Sequence, residues 1–300
     1  MKRFLYPLLR TLLLSAPDVL LAGTGPVELG RGRVILRGSD GVLLDAPYLS
    51  TQDYIVDKML DLVKLRDGDV VYDLGCGDGR IIVAAARRAR IRGVGVDIDP
   101  GRIAESHANA RAAHVGNRVS FLKQDLFDTD LREATVVTIC LLTEVNLRLR
   151  PKLFRELAPG TRIVSHNFGM GDWKPDEEVF LSLDEHGFHD LYVWVVPANA
   201  SGLWTGRHNG HTYRLSLRQR FQGIEGTITV EEGAVLPLTE SAVTGKAIHF
   251  TAATKEGQTR RVTFEGAVKG DVMEGIVRGM DGVERPWKAT RDPSTVSWVE

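Results

Sequence analysis

The stretch VVYDLGCGDGR, residues 70–80, is the feature that most limits what this chain can fold into. An apolar run leads directly into Gly75, Gly77 and Gly79, and RIIVAAARRAR at 80–90 then has a helical pattern. Glycine has no Cβ and readily adopts positive φ, so a turn of this kind lets a ligand approach the backbone where a strand gives way to a helix. The stretch therefore predicts a strand, a tight ligand-binding turn and a helix.

The same alternation of strand and helix patterns continues along the chain. Strand-like apolar runs follow at 92–99, 118–125, 134–142 and 160–168, helical patterns occupy 100–114 and 144–157, and a hairpin pattern occupies 177–197. Continuous apolar strands joined by helices are typical of a parallel sheet covered on both faces. We therefore predict an α/β fold with a Rossmann-like sheet, whose edge the hairpin closes.

The pattern changes again after Pro197. In YRLSLRQRF at 213–221 every second residue is apolar over most of the run, and short strand-like segments separated by glycine turns follow without a helical period. This predicts an all-β accessory domain, either an antiparallel sheet or a small barrel with one face buried, that presents or excludes substrates. The predicted organisation is a hydrophobic N-terminal segment (1–22), a glycine-rich linker (23–46), the α/β domain (47–198) and the all-β domain (202–298).

The N-terminal segment, MKRFLYPLLRTLLLSAPDVLLA, has a basic start and a leucine-rich run, but Arg10 and Asp18 interrupt it. Its longest uncharged run, 11–17, is too short to span a bilayer. We rank a helix lying on a membrane surface first, a helix packed on the domain second and a weak signal peptide third. The expected location is therefore the cytoplasm, with peripheral membrane contact through this segment.

The overall charge and the cysteines exclude some classes of function. The formal net charge is −1, so no basic field predicts a nucleic-acid partner. The two cysteines, Cys76 and Cys140, are far apart in sequence and match no metal-ligand spacing. We therefore expect no bound metal and no disulfide framework, which fits a reducing compartment.

The spacing of the glycines and the acids near them indicate which kind of ligand the turn binds. A dinucleotide-binding G-x-G-x-x-G would need glycine at position 80, where Arg80 stands, and Asp73 adds a carboxylate that repels a pyrophosphate and suits a cationic amine. Asp97 and Asp125 end the next two strands, where they can accept hydrogen bonds from ribose hydroxyls and from an adenine amine. A nucleoside with a positive tail and no phosphate, such as S-adenosylmethionine (SAM), meets these requirements. The alternative is that each acid is only a helix cap or turn residue.

At these residues the chain resembles the class I SAM-dependent methyltransferases, and within them a branch of protein lysine methyltransferases. That branch includes an archaeal broad-specificity enzyme and mitochondrial enzymes that modify the ATP synthase c subunit and the adenine nucleotide translocase. The resemblance is carried by APYLSTQDYIVDKMLDL (46–62), VYDLGCGDGRI (71–81), VSFLKQDLFDTDL (119–131), TVVTICLLTEVN (135–146) and GTRIVSHNFGMGDWKP (160–175). It implies a seven-stranded class I sheet, SAM as cofactor and a protein lysine as methyl acceptor.

The resemblance also implies roles for single residues. The cofactor-binding residues would be Asp73, Gly75 and Gly77 at the methionine end, Asp97 with the adjoining Ile98 at the ribose, Asp125 with Leu126 at the adenine, and Tyr48 and Thr51 as a lid. This chain departs from the eukaryotic members at Thr143, where they carry proline.

The methyl acceptor poses a protonation problem. A lysine amine has a pKa of about 10.4, so only about one in a thousand or fewer is neutral at pH 7. We predict that Glu144 or Asn146, after the fourth strand, orients the amine between the apolar side chains of Leu141 and Leu142. His166, at the end of the fifth strand, is a candidate proton acceptor. The alternatives are that Glu144 merely starts the next helix and that His166 is a structural residue.

The sequence thus favours a SAM-dependent N-methyltransferase that acts on lysine side chains of a protein. Membrane-associated proteins are among the expected substrates. Three other functions are weaker: a methyltransferase for a small molecule or lipid, a non-catalytic SAM-binding module that recognises its partner through the β-domain, and, weakest, a nicotinamide-dependent oxidoreductase. Enzymes that methylate adenine in nucleic acids carry an N/D-P-P-Y/F segment after the fourth strand, and this chain has LLTE there.

Overall fold

The computed structural model describes residues 28–30, 33–183, 187–208, 210–230, 233, 235–253, 261–279 and 281–297. They form two compact units, the first ending at Trp194 and the second beginning at Val195, except that Leu157–Thr161 belongs to the second. Segment 1–22, and with it the choice among a surface helix, a packed helix and a signal peptide, lies outside the described residues. Where the chain is described, no helix has the length and apolar character needed to cross a membrane.

The described part of segment 23–46, predicted as a linker, contains regular structure. Strands β1 (Glu28–Gly30) and β2 (Arg33–Ile35) pair antiparallel as a two-stranded sheet. Further along, Ser39 donates hydrogen bonds from its backbone N–H and its hydroxyl to the carboxylate of Asp99. These bonds attach the segment to the α/β unit.

The first unit is built on a seven-stranded sheet. Its strands are β3 (Val70–Leu74), β4 (Arg92–Asp97), β5 (Val119–Lys123), β6 (Val136–Ile139), β7 (Arg162–His166), β8 (Glu177–Leu183) and β9 (Gly187–Val195), in the order β5-β4-β3-β6-β7-β9-β8. Strands β3 to β7 pair in parallel, whereas β8 and β9 form an antiparallel hairpin at one edge. The predicted Rossmann-like α/β sheet with its closing hairpin is confirmed.

Four helices connect the strands in the described part of this unit: α1 (Asp53–Leu62), α2 (Arg80–Arg88), α3 (Pro100–Ala112) and α4 (Thr143–Glu156). The start of α3 shows why the boundaries fall where they do. Asp99 caps it by accepting a hydrogen bond from the Gly101 N–H, and Pro100 occupies the first helical position, where its missing N–H costs nothing. The first helical turns of α2 and α3 consequently lie at the carboxyl edge of the sheet.

The second unit is a closed antiparallel barrel. Its strands are β10 (Gly202–His208), β11 (His211–Arg220), β12 (Gly223–Val230), β13 (Val235–Thr244), β14 (Ala247–Ala253), β15 (Arg261–Lys269), β16 (Val272–Arg278) and β17 (Glu284–Arg291). Each pairs with the next, and β10 pairs with β17. The aromatic side chains of Trp204, Phe250, Phe264 and Trp287 are buried in its core, since an eight-stranded barrel is narrow enough for side chains to fill. Of the two predicted architectures, the barrel is therefore the one that forms.

A buried ion pair joins three strands of the α/β unit at their amino ends. Asp69, just before β3, is 3% exposed and accepts hydrogen bonds from the Arg162 guanidinium at the start of β7 and from the Thr135 hydroxyl, 2.7 Å away, just before β6. The Arg66 N–H adds a third bond at 2.9 Å. Removing one partner of such a pair leaves the other charge buried without compensation.

We expect Asp69→Ala to lower the free energy of unfolding by about 3 kcal/mol, because Arg162 would lose its counter-charge. Urea denaturation followed by circular dichroism at 222 nm measures this, since the four described α-helices all lie in the α/β unit. Asp67→Ala is the matched control: Asp67 forms an exposed ion pair with Arg90, and its loss should leave the midpoint nearly unchanged. Equal midpoints for all three proteins would contradict the assignment.

Candidate active site

The turn between β3 and α2 is held against the end of β4. The backbone N–H groups of Gly75 and Cys76 both donate to the carbonyl of Val96, at 2.9 Å each. The Gly77 N–H donates to the Asp97 carboxylate at 2.9 Å. The turn therefore folds over the carboxyl edge of the sheet and holds the Asp97 carboxylate at that edge.

Two glycines in this turn are required by their surroundings. Gly75 and Gly77 have φ angles of +79° and +52°, a region that side chains disfavour. A Cβ on Gly75 would lie 2.8 Å from the Leu141 side chain, and one on Gly77 would lie 2.3 Å from the Tyr48 ring. The absence of side chains thus keeps the turn close to both walls of the cavity that it borders.

An open cavity with an empty volume of about 1060 Å³ lies at this edge of the sheet. The residues that line it include almost all of the predicted cofactor-binding set, namely Tyr48, Thr51, Asp73, Gly75, Asp97, Ile98, Asp125 and Leu126. Gly77 is not in the lining, and its N–H is bonded to Asp97 instead. The structure therefore brings together residues that span 79 positions of the chain, from 48 to 126.

Asp73 is the most deeply buried of the three predicted acids, at 3% exposure. Burial raises the pKa of its carboxyl to about 7, although a hydrogen bond of 2.6 Å from the Thr138 hydroxyl favours the charged form. Asp73 therefore titrates near neutral pH. A cation beside it would stabilise the carboxylate, whereas an anion would oppose it.

The other two acids differ in exposure. Burial raises the pKa of Asp97, whose two oxygens accept the N–H groups of Gly77 and Asp99. Asp125 is exposed, and one of its oxygens caps a short 3₁₀ turn through the Phe127 N–H at 2.8 Å. Its other oxygen forms no hydrogen bond with the described residues. Asp125 is thus a turn cap, as the alternative interpretation holds, and a cavity-lining carboxylate as well.

The two residues predicted to orient the acceptor amine lie on the first turn of α4. Glu144 is exposed and is not among the residues that line the cavity. Asn146 is fully buried, and its amide group donates to the carbonyls of Phe168 and Gly169 at 3.0 and 3.4 Å. Its Oδ1 has no hydrogen-bond donor within the described part of the chain. The roles proposed for both residues stay predictions.

His166 lies behind the cavity wall rather than at the cavity mouth. It is 5% exposed, and its Nδ1 is 3.2 Å from the Thr51 hydroxyl and 3.6 Å from the Cys140 thiol, both of which line the cavity. Burial, with a smaller effect of His189, lowers the pKa of His166 to about 4. The imidazole is therefore neutral at physiological pH.

Several cavity residues were not predicted from the sequence. Asp99, Arg102, Gln124 and Cys140 line the cavity, and the Arg102 guanidinium lies 3.8 Å from the centre of the Tyr48 ring. For Asp99 and Arg102 the helix-start signal DPGR at 99–102 was the available signal, because the first turn of a helix that follows a parallel strand lies at the carboxyl edge of the sheet.

Comparison with known proteins finds methyltransferases. A family model described as the ANTKMT methyltransferase domain matches residues 73–177. A protein-lysine N-methyltransferase of Saccharolobus islandicus (strain REY15A) is 46% identical over 151 residues, which are 50% of this chain and 93% of that protein. An adenine nucleotide translocase lysine N-methyltransferase of Mus musculus is 31% identical over 159 residues, 53% of this chain and 66% of the mouse protein. The crystal structure of an RNA methyltransferase from Salinibacter ruber in complex with S-adenosyl-L-homocysteine shares 47% identity, covering 49% of this chain and 93% of that one, with a TM-score of 0.46.

The strand order and the acids at the strand ends define a class I SAM-dependent methyltransferase, as predicted. The chain belongs to the family of protein-lysine N-methyltransferases, since it is 46% identical to the archaeal member over nearly that member's full length. The resemblance in the sequence, the class of enzyme and SAM as the cofactor are thereby confirmed.

We expect Gly77→Val to weaken SAM binding by about tenfold or more, because a branched side chain at positive φ would displace Tyr48 from the cavity wall. Isothermal titration calorimetry measures the affinity. Gly68→Val is the control: Gly68 has φ +86°, and nothing lies within 4 Å of an added Cβ. Gly68→Val should bind SAM normally, and an equal affinity for Gly77→Val would show that the turn does not hold the cofactor.

We expect the affinity for SAM to fall as the pH is lowered from 8 to 6. The raised pKa of Asp73, about 7, means that its carboxyl gains a proton in this range and no longer attracts a cation. The decrease should approach tenfold per pH unit below that pKa. Asp73→Asn should bind more weakly at pH 8 and lose most of the pH dependence in the same titrations. A wild-type affinity that is constant from pH 6 to 8 would contradict this role.

Proposed function

We propose that this protein transfers methyl groups from SAM to the side-chain amine of lysine in a protein substrate. The observation that carries the proposal is the cavity in which Asp73, Asp97 and Asp125, from three neighbouring strands, meet beside a glycine turn. Ionised carboxylates accept hydrogen bonds from hydroxyl and amine groups and attract a cation, so this set suits the groups that SAM presents.

The groups that line the cavity fit the cofactor by their chemistry. Asp73 would hold the cationic amino-acid end, Asp97 the ribose hydroxyls, and Asp125 with Leu126 the adenine. Gly75 borders the cavity without a side chain, which lets a ligand lie against its backbone. When bound, SAM supplies an electrophilic methyl group on a positively charged sulfur.

The wall next to β6 suits an amine that must be neutral to react. Leu141 and Val145 line it with apolar surface, and burial raises the pKa of the Cys140 thiol to about 11, so that this side chain carries no charge. A low-polarity wall disfavours the ammonium form of lysine, and holding the amine in line with the methyl group supplies most of the remaining catalysis.

The named relatives support a protein as the acceptor. The archaeal relative is a protein-lysine N-methyltransferase, and two further relatives are lysine N-methyltransferases for the adenine nucleotide translocase and for the c subunit of ATP synthase. We propose that this chain, too, acts on a protein, in the cytoplasm, where the free thiols of Cys76 and Cys140 persist. The leucine-rich segment 1–22 supports a membrane-associated substrate.

We expect the purified protein to transfer labelled methyl from SAM to discrete protein bands of a cell lysate separated into soluble and membrane fractions. Hydrolysis of the bands to amino acids should yield methyllysine. Asp97→Ala, which removes a cofactor-binding carboxylate, is the control and should give no label. Label in a small molecule or lipid, with none in protein, would overturn the assignment of the acceptor.

A further inference from the structure

A line of hydrogen-bonding side chains leads away from the cavity wall. His166 contacts the Thr51 hydroxyl through Nδ1 at 3.2 Å, and its Nε2 is 2.9 Å from Nδ1 of His189 on the neighbouring strand β9. Nε2 of His189 is 3.3 Å from the Tyr54 hydroxyl on α1. Thr51 lines the cavity, whereas His189 and Tyr54 are half-buried. The four side chains therefore connect the cavity to the protein surface.

The partners of His166 Nδ1 allow a direction to be assigned to these bonds. Nδ1 of His166 faces a hydroxyl and, at 3.6 Å, the thiol of Cys140, and both groups can donate to it. The proton of the neutral His166 ring is therefore assigned to Nε2, from which it is donated to Nδ1 of His189. Nε2–H of His189 then points at the Tyr54 oxygen. Every bond runs outward, from Thr51 to Tyr54.

Lysine methylation requires the substrate amine to lose a proton. The amine enters as an ammonium ion, which has no lone pair, and it must release one proton before each transfer. Glu144, the carboxylate nearest in sequence to the apolar wall, is exposed and does not line the cavity. Asp73, in contrast, would be occupied by the cationic end of the cofactor.

We propose that Thr51, His166, His189 and Tyr54 form a proton relay that carries the proton of the substrate ammonium to solvent, an inference that rests on the proposed function. The N–H bond of the ammonium breaks and the proton joins Thr51 Oγ1, while the Thr51 hydroxyl proton moves to His166 Nδ1. The Nε2 proton of His166 moves to His189 Nδ1, that of His189 Nε2 moves to the Tyr54 oxygen, and Tyr54 releases its own proton to water. One proton leaves the substrate and one reaches solvent.

The surroundings of His166 favour passage of the proton through the ring over formation of a stable imidazolium. Its lowered pKa of about 4 makes a lasting imidazolium unfavourable, so a proton that arrives at Nδ1 must leave from Nε2. The titratable groups facing it are Cys140 from the end of β6 and His189 from β9, and Tyr54 of α1 faces His189 from the far side. The thiol of Cys140, with its pKa of about 11, stays protonated and therefore does not take up the proton.

The test is the pH dependence of methyllysine formation by His189→Phe, which interrupts the relay outside the cavity and keeps an aromatic ring. With unfractionated lysate protein as substrate, the rate relative to wild type should fall at least about tenfold at pH 7. At pH 9.5 about a tenth of free lysine amines are already neutral, so the variant should recover to within about twofold of wild type. His107→Phe, an exposed histidine outside the relay, should match wild type at both pH values.

The outcomes separate the relay from the proposed function. If wild type forms no methyllysine, the proposed function fails and the relay with it. If wild type is active and His189→Phe keeps its full rate, or is equally impaired at both pH values, the relay is wrong and the proposed function stands. Calorimetry with SAM shows whether the variant is folded. If His189→Phe fails to bind SAM, Tyr54→Phe is tested instead, since it loses only a hydroxyl. Its rate relative to wild type at pH 7 and at pH 9.5 then decides whether the relay exists.

Discussion

The hydrogen bonds from Gly75 and Cys76 to the carbonyl of Val96 are the contacts on which the rest of the active site depends. They join the turn that follows strand β3 to the end of its neighbour β4. With the turn fixed there, the Gly77 N–H reaches Asp97, and helix α2 begins at the carboxyl edge of the sheet. The backbone of one turn thus lines part of the cavity and fixes the position of the Asp97 carboxylate.

Burial acts on both sides of the cavity and shifts the pKa values of two side chains in opposite directions, each toward the neutral form. It raises the pKa of Asp73 and lowers that of His166, because a site of low polarity disfavours whichever form is charged. A cofactor with a positive charge restores the carboxylate of Asp73 on one side. On the other side the neutral imidazole stays neutral. The same physical effect therefore prepares one wall for a cation and the other for an uncharged amine.

The sequence predicted the sheet, its edge hairpin and an all-β domain with a barrel as one of two architectures, because these follow from short-range patterns. All but one of the predicted cofactor-binding residues line the cavity. Strand β13 has no clear alternation in the sequence, because Pro237 and the polar residues of 235–244 interrupt its apolar pattern. The exposed position of Glu144 could not be predicted, because a helical pattern does not show which face of the helix points toward the cavity. The contact of His166 with Thr51 joins residues 115 positions apart, and no local pattern encodes such a pair.

The closure of the barrel bears on how such a unit can be added to a chain. A sheet with free edges cannot be added to a chain without presenting unpaired backbone groups, whereas β10 pairs with β17 and leaves no edge to protect. Half of this chain already accounts for 93% of its archaeal relative, so the barrel is additional to what that relative contains. A self-closed unit of this kind can be joined to an enzyme without presenting a strand edge on which other chains could pair.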